Sequence, residues 1–246
     1  MGLFRRKEDA PVAAAEGTGS PAGAAAPEWV TDAERVRPLL RVRLMPSAGL
    51  PAGRAPVSKP LLGGDLAAVL EVQDTMAVTP DHLPWWGAEP EELWTVALHN
   101  ARVRQPPVEA RDGVHVMTGD AYTAGNLLRI REFAAPPQDG VLVWVPRPEV
   151  LMFTRLTDGP SFVSGLHSLL GMRRLDTARG GPDAAAGTPL YKDMIWCRGK
   201  TMQWVGASVQ EGPKAPHFSF TGSSAFVEVF HRLMDQAVDA SQARRP

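Results

Sequence analysis

The chain has 246 residues, 44% hydrophobic and 22% charged, an ordinary globular composition that can bury a substantial core. Its formal charge of -1 supplies no global attraction to nucleic acid or to an anionic membrane. The one cysteine, Cys197, excludes an internal disulfide and a Cys-rich zinc site, and it fits a reducing, cytoplasmic setting.

Residues 1–28 read as a disordered tail rich in Ala, Pro, Gly and Glu, with no apolar period to bury. Arg5-Arg6-Lys7 is a basic start, but no apolar run follows it, so no signal peptide is expected. Met1-Gly2 opens like a myristoylation site, yet Arg6 stands where Ser or Thr is wanted. Nothing approaches the ~20 apolar residues that span a bilayer. Gly17, Gly19 and Gly23 lack the flanking strand and helix of a phosphate loop. Trp29 marks where packing can begin, and residues 29–240 read as one α+β domain.

Residues 39–46 alternate Leu40, Val42 and Leu44 against Arg41 and Arg43, the pattern of a half-buried strand stopped by Pro46. Residues 47–60 read as a Pro/Gly-rich loop. The run 66–72, LAAVLEV, is too short for its period to decide, and a strand is favoured over a helix. Glu89-Pro90-Glu91-Glu92 opens a helix, with Leu93, Val96, Ala97 and Ala101 at helical spacing and Pro106-Pro107 ending it. Trp85-Trp86 should fold back on the core beside it. Residues 114–117 suit a short strand. Asp120 is placed to cap a helix to about Arg131, with Ala124, Leu127, Leu128 and the stem of Arg131 inward.

The stretch 139–155 predicts a β-hairpin at or near the centre of one mixed or antiparallel sheet. Its first strand, 141–145, is apolar on both faces and so covered on both. Pro146-Arg147-Pro148-Glu149 reads as its turn. A third helix follows Asp158-Gly159-Pro160 with Phe162, Val163, Leu166, Leu169 and Leu170 inward, ending near Gly171. Residues 176–189 read as a loop. A second hairpin, 190–206, turns at Arg198-Gly199-Lys200, with Pro213 and Pro216 in the loop beyond. The last helix is capped by Ser223 or Ser224. Its stripe of Phe226, Val229, Phe230, Leu233, Met234, Ala237 and Val238 runs to about Ala240, leaving 241–246 as a short tail. In all, about four helices should pack the sheet.

Catalytic signatures are sparse. No two of His82, His99, His115, His167, His217 and His231 lie at metal-ligand spacing, so no metal is expected. Cys197 has Arg198 and Lys200 nearby, which lower a thiol pKa, but a buried hydrophobic cysteine is the favoured reading. Ser164-Gly165 lies inside a helical pattern and not on a nucleophile elbow. No cofactor fingerprint occurs. Arginines come in pairs and not in a stripe, so nucleic acid is not an expected partner. Asp74 and Asn100 form a candidate polar pair. The favoured function is therefore non-enzymatic: a protein-interaction or adaptor module, with Trp85, Trp86 and Arg147 as candidate contact residues. The alternative is a small hydrolase-like enzyme whose site is assembled from residues distant in sequence. Oligomeric state stays open.

Several of these stretches together resemble the YtpQ-like family of uncharacterised bacterial proteins. The likeness lies in Arg41-Val42-Arg43-Leu44 with Pro46, Gly64-Asp65-Leu66 leading to Asp74, and Val78-Thr79 with Leu83. It continues through Glu91-Glu92-Leu93-Trp94 to Ala97 and Asn100, then 140–146 and Leu151, covering roughly residues 39–205. The family shows Pro-any-Arg-Asp before the second hairpin strand. Here Pro148 and Glu149 stand in the last two places, and Arg147 comes one place early. The resemblance implies the fold and a bacterial origin, and it carries no established activity.

Overall fold

The computed structural model describes residues 27–134, 138–179, 190–211 and 216–243. The expected tail therefore lies outside the described residues, apart from Pro27 and Glu28, which opens a 3-10 turn at Glu28–Thr31. The fold is α+β, with two antiparallel sheets where the sequence suggested one.

In chain order, the first elements are α1 (Ala33–Val36), β1 (Leu40–Pro46), β2 (Ser58–Leu61), β3 (Leu66–Val72) and β4 (Met76–Ala77). Next come α2 (Leu83–Trp86), α3 (Pro90–Val103), β5 (Val108–Arg111), β6 (Val114–Thr118) and α4 (Ile130–Ala134). The chain continues through β7 (Val141–Arg147), β8 (Val150–Arg155), α5 (Gly159–Arg179), β9 (Met194–Arg198), β10 (Thr201–Glu211), β11 (Pro216–Thr221) and α6 (Ser224–Gln242). The smaller sheet runs β1-β3-β2, with β4 also on β3. The larger runs β11-β10-β9-β7-β8-β6-β5.

Strand β7 is thus the middle strand of the larger sheet, and its residues 141–146 are all buried. Alternation divides them between two apolar layers. Leu142 and Trp144 pack with Phe162, Leu166, Phe226 and Leu233 of α5 and α6. Val141, Val143 and Val145 join the other layer, with α3 and the inward face of the smaller sheet. A run without polar alternation is what burial on two faces requires.

The register explains several departures from expectation. Pro146 belongs to β7, not to the turn. The ladder slips between Trp144 and Arg147, so the missing proline N–H falls at an irregularity. The carbonyls of Val145 and Pro146 accept from Tyr191 and Leu190. The hairpin loop is Pro148-Glu149, since Arg147 pairs with Val150. The second hairpin also turns on two residues, because Arg198 pairs with Thr201. Gly199, at φ 52, supplies the left-handed conformation of that turn.

The expected loop 47–60 contains β2, and Pro216 opens β11; Pro213 lies outside the described residues. Helix α5 passes Gly171 and ends at Arg179, since a glycine inside a helix costs only about 1 kcal/mol. The rest of the expected loop at 176–189 lies outside the described residues. The helix expected after Asp120 is a 3-10 stretch, Thr123–Arg129, followed by the short α4. That tighter winding turns Arg129 inward and leaves Arg131 exposed. Helix α6 extends two residues beyond Ala240, into the stretch read as a tail.

Candidate functional site

The smaller sheet presents its second face to a pocket of about 500 Å³. Its origin is period-2 alternation. On β1, Leu40, Val42 and Leu44 enter the core, so Arg43 and Met45 point the other way. On β3, Leu66, Ala68, Leu70 and Val72 enter the core, so Val69 and Glu71 face the pocket. Residues Gly49, Pro51 and Pro56 wall one side. The turn carrying Asp74, Met76 of β4, and the Ala121-Tyr122 step close the others.

Four polar groups converge there. Arg43 Nη1 lies 3.6 Å from Glu71 Oε1, a diagonal pair across the β1–β3 ladder. Burial pushes the Glu71 carboxyl above its usual range, against the charge of Arg43 and the hydrogen bonds from Tyr122 and Arg43. The Tyr122 hydroxyl accepts the Asp74 backbone N–H at 2.9 Å. Burial pushes that phenol up to about 12. A phenol held neutral over the whole physiological range positions and donates a hydrogen bond; it does not serve as a base. Asp74 sits at φ 53, the left-handed centre of the β3–β4 turn, where Asp is tolerated. Its Oδ2 accepts from Gln73 Nε2 at 3.3 Å.

A second set of polar contacts adjoins this wall. Arg41, expected to face solvent, is only 3% exposed. Its guanidinium donates to the Leu40 and Pro38 carbonyls at 2.8 and 3.1 Å and to Gln73 Oε1 at 2.8 Å, which compensates its burial. Arg104 donates to the same Gln73 oxygen at 2.9 Å.

The expected Asp74–Asn100 pair does not form. Asn100 Nδ2 instead donates to the carbonyls of Arg37 and Leu40, at 2.7 and 3.1 Å, tying α3 to the start of β1. The candidate contact residues are also dispersed. Trp85 is 47% exposed and Trp86 only 6%. The Trp86 indole N–H donates to the Val30 carbonyl at 2.7 Å, so the two rings do not form one surface. Arg147 is exposed at the end of β7.

Cys197 is buried on β9, and burial pushes its thiol up to about 12, which suppresses the thiolate a nucleophile requires. Arg198 does not lower it: its guanidinium stacks over Trp196 and donates to the Gln138 carbonyl at 3.1 Å. Burial also lowers the His82 and His115 pKa values. His82 Nδ1 accepts the Thr79 N–H at 3.0 Å as part of a helix cap, and His115 stacks on Phe153 at 4.8 Å. Among the described residues, no three of His, Cys, Asp and Glu gather as metal ligands, and no helix is long and apolar enough to cross a membrane.

Two other cavities are shallower. One holds the Arg232–Asp139 ion pair at 2.6 Å, which fastens α6 to the chain before β7. The other, about 600 Å³, lies beside the exposed Trp204. Of the main pocket's groups, only Asp74 was singled out in the sequence, and for another pairing. Glu71 did leave a signal there, as the lone charge in LAAVLEV. Tyr122 left none, because its place beside β3 depends on a contact 48 residues away in sequence. Comparison with family models, curated proteins and solved structures finds no match to this chain.

Proposed function

We propose that this chain is a non-enzymatic interaction module of the bacterial cytoplasm, and that the pocket on β1 and β3 is where it engages a protein partner. The observation that carries this reading is the make-up of the pocket. A few convergent polar groups, Arg43, Glu71, Asp74 and Tyr122, sit among methionine, proline and valine walls. That is the composition of a recognition site, in which apolar walls supply affinity and fixed polar groups supply orientation. The carboxylate, guanidinium and phenol already face one another, so the set is organised before any ligand arrives. Methionine at two lining positions adds a polarizable surface that adapts to another side chain. The bacterial and cytoplasmic parts of the proposal rest on the YtpQ-like resemblance and on the one buried, reduced cysteine.

The test is a blocking substitution. Ala77→Trp places an indole in the pocket from the short edge strand β4, and circular dichroism and thermal unfolding check that the fold persists. Full-length protein and Ala77→Trp are then compared as baits in affinity capture. A partner recovered by the first and lost by the second supports the reading. Capture of the same proteins by both would place the interaction elsewhere on the surface.

A further inference from the structure

We propose that the pocket on β1 and β3 takes a lysine or arginine side chain presented by the protein partner, with Asp74 and Glu71 receiving its charge. This deepens the preceding proposal and rests on the pocket being the binding site. Three observations lead to a basic side chain.

The first is charge. The pocket's charged lining residues are Arg43, Glu71 and Asp74, so carboxylates outnumber the guanidinium two to one. Arg43 is already directed at Glu71, and the second arginine of β1, Arg41, stands opposite Glu71 in the ladder and within reach of the Asp74 charge, with its own donors engaged by backbone carbonyls and Gln73. An anion entering here would meet two carboxylates, whereas a cation would offset the excess.

The second is unused acceptor capacity. An ionised carboxylate offers about four lone-pair sites. Asp74 accepts from Gln73 at a long 3.3 Å, while Glu71 accepts from Tyr122 and meets Arg43 at 3.6 Å, which leaves part of each carboxylate's capacity open. Both acids therefore keep oxygens able to accept from an ammonium or guanidinium. Glu71 is the more deeply set, with its side chain 13% exposed. A carboxylate so desolvated gains more from a new cationic partner than one in water.

The third is the shape and chemistry of the approach. Met45, Met76, Pro51 and Pro56 line the same pocket as the acids. Lysine and arginine pair a polar head with an aliphatic stem that packs along apolar surface. Thioethers and proline rings suit that stem, and about 500 Å³ admits the side chain with adjoining backbone.

The experiment uses the full-length protein carrying methyl-labelled methionine, with the Met45 and Met76 methyl resonances as reporters inside the pocket. The probes are blocked pentapeptides that differ only at the central residue: lysine, arginine, norleucine or glutamate. Butylamine is a further probe for a free small amine. The proposal expects the lysine and arginine peptides to move both methyls saturably, at least about tenfold more tightly than norleucine. Asp74→Asn should weaken the basic peptides at least threefold and leave norleucine unchanged. Asparagine tolerates the left-handed backbone at this position, so that variant keeps the turn. Glu71→Gln is the second variant, with the same expected sign.

Stronger binding of norleucine or glutamate would overturn the basic side chain while leaving the pocket as a binding site. No shift with any probe would overturn both proposals. Butylamine binding as tightly as the peptides would assign the pocket to a small amine and overturn the partner. In the full chain, Arg5→Ala, Arg6→Ala and Lys7→Ala together should leave the peptide-free methyl spectrum unchanged. A shift there would assign the pocket to the chain's own basic stretch instead.

Discussion

Burial fixes the protonation of Cys197, Tyr122 and Tyr191, each pushed up to about 12. Their ordinary values are 9.0 for the thiol and 10.0 for the phenols. In every case the folded chain holds its proton longer than the unfolded chain. The stability this contributes is whole below pH 9 and is lost as pH rises towards 12. The urea midpoint should therefore fall above pH 9, and Cys197→Ala should flatten the first part of the decline. Tyrosinate absorbance should rise only well above pH 10 in the folded protein, since the chain has just these two tyrosines. His82 has the opposite behaviour. Its pKa is lowered, chiefly by burial, and its Nδ1 must stay unprotonated to accept from Thr79. The unfolded chain takes up that proton first, so stability should fall as pH drops below about 6.5. His82→Asn keeps a short acceptor without the titration and should reduce that acid slope. His115, also lowered by burial, contributes with the same sign.

At the scale of elements, α6 and β7 hold the larger sheet together. Leu233 of α6 is fully buried in the layer with Phe162 and Phe226, whereas Val238 on the same helix is 48% exposed. Leu233→Ala should cost about 2–5 kcal/mol by denaturant unfolding. Val238→Ala should change stability by less than about 0.5 kcal/mol. Equal effects would mean that the apolar stripe is not seated as described. Val143 pairs with Phe153 on one side and Ile195 on the other, in the middle strand. A carboxylate there would have neither water nor a counter-charge, so Val143→Asp should give unfolded or insoluble protein. Recovery of a soluble, cooperatively folding variant would remove β7 from the centre of the fold.

At the scale of the whole molecule, the 3-10 stretch packs against the smaller sheet through one close backbone approach. The 3-10 stretch Thr123–Arg129 covers the outer edge of β1, where a Cβ on Gly125 would lie 2.3 Å from the Val42 carbonyl oxygen. No side chain fits at that distance, and the obstacle is backbone that cannot swing aside. Gly125→Ala should destabilise by at least about 1–3 kcal/mol, the range for overpacking. It should also disturb Tyr122, three residues earlier, and so the Met45 and Met76 methyl signals. An ion-pair knot lies beyond it. Arg129 and Arg102 both bond Glu132, holding that carboxyl down to about 2 and joining α3 to α4.

Local pattern in the sequence was enough to determine β1, α3, β7 and α6. Each carries a period or an unbroken apolar run that only one kind of burial satisfies, and prolines mark the ends of β1 and α3, at Pro46 and just before Pro106. Composition likewise determined that Cys197 makes no internal disulfide. Tertiary structure alone decided the rest. Strand β2, Ser58–Leu61, is partly exposed and contains a proline, so it is a strand only because β3 offers it a ladder. Arg41 reads as a surface charge until the carbonyls of Pro38 and Leu40 and the side chain of Gln73 are brought around it. Asn100 finds its partners 60 and 63 residues back along the chain, and Tyr122 meets Asp74 across 48. The pocket is made of such meetings. A period records which face of an element is buried, but it carries no record of what the opposite face will meet.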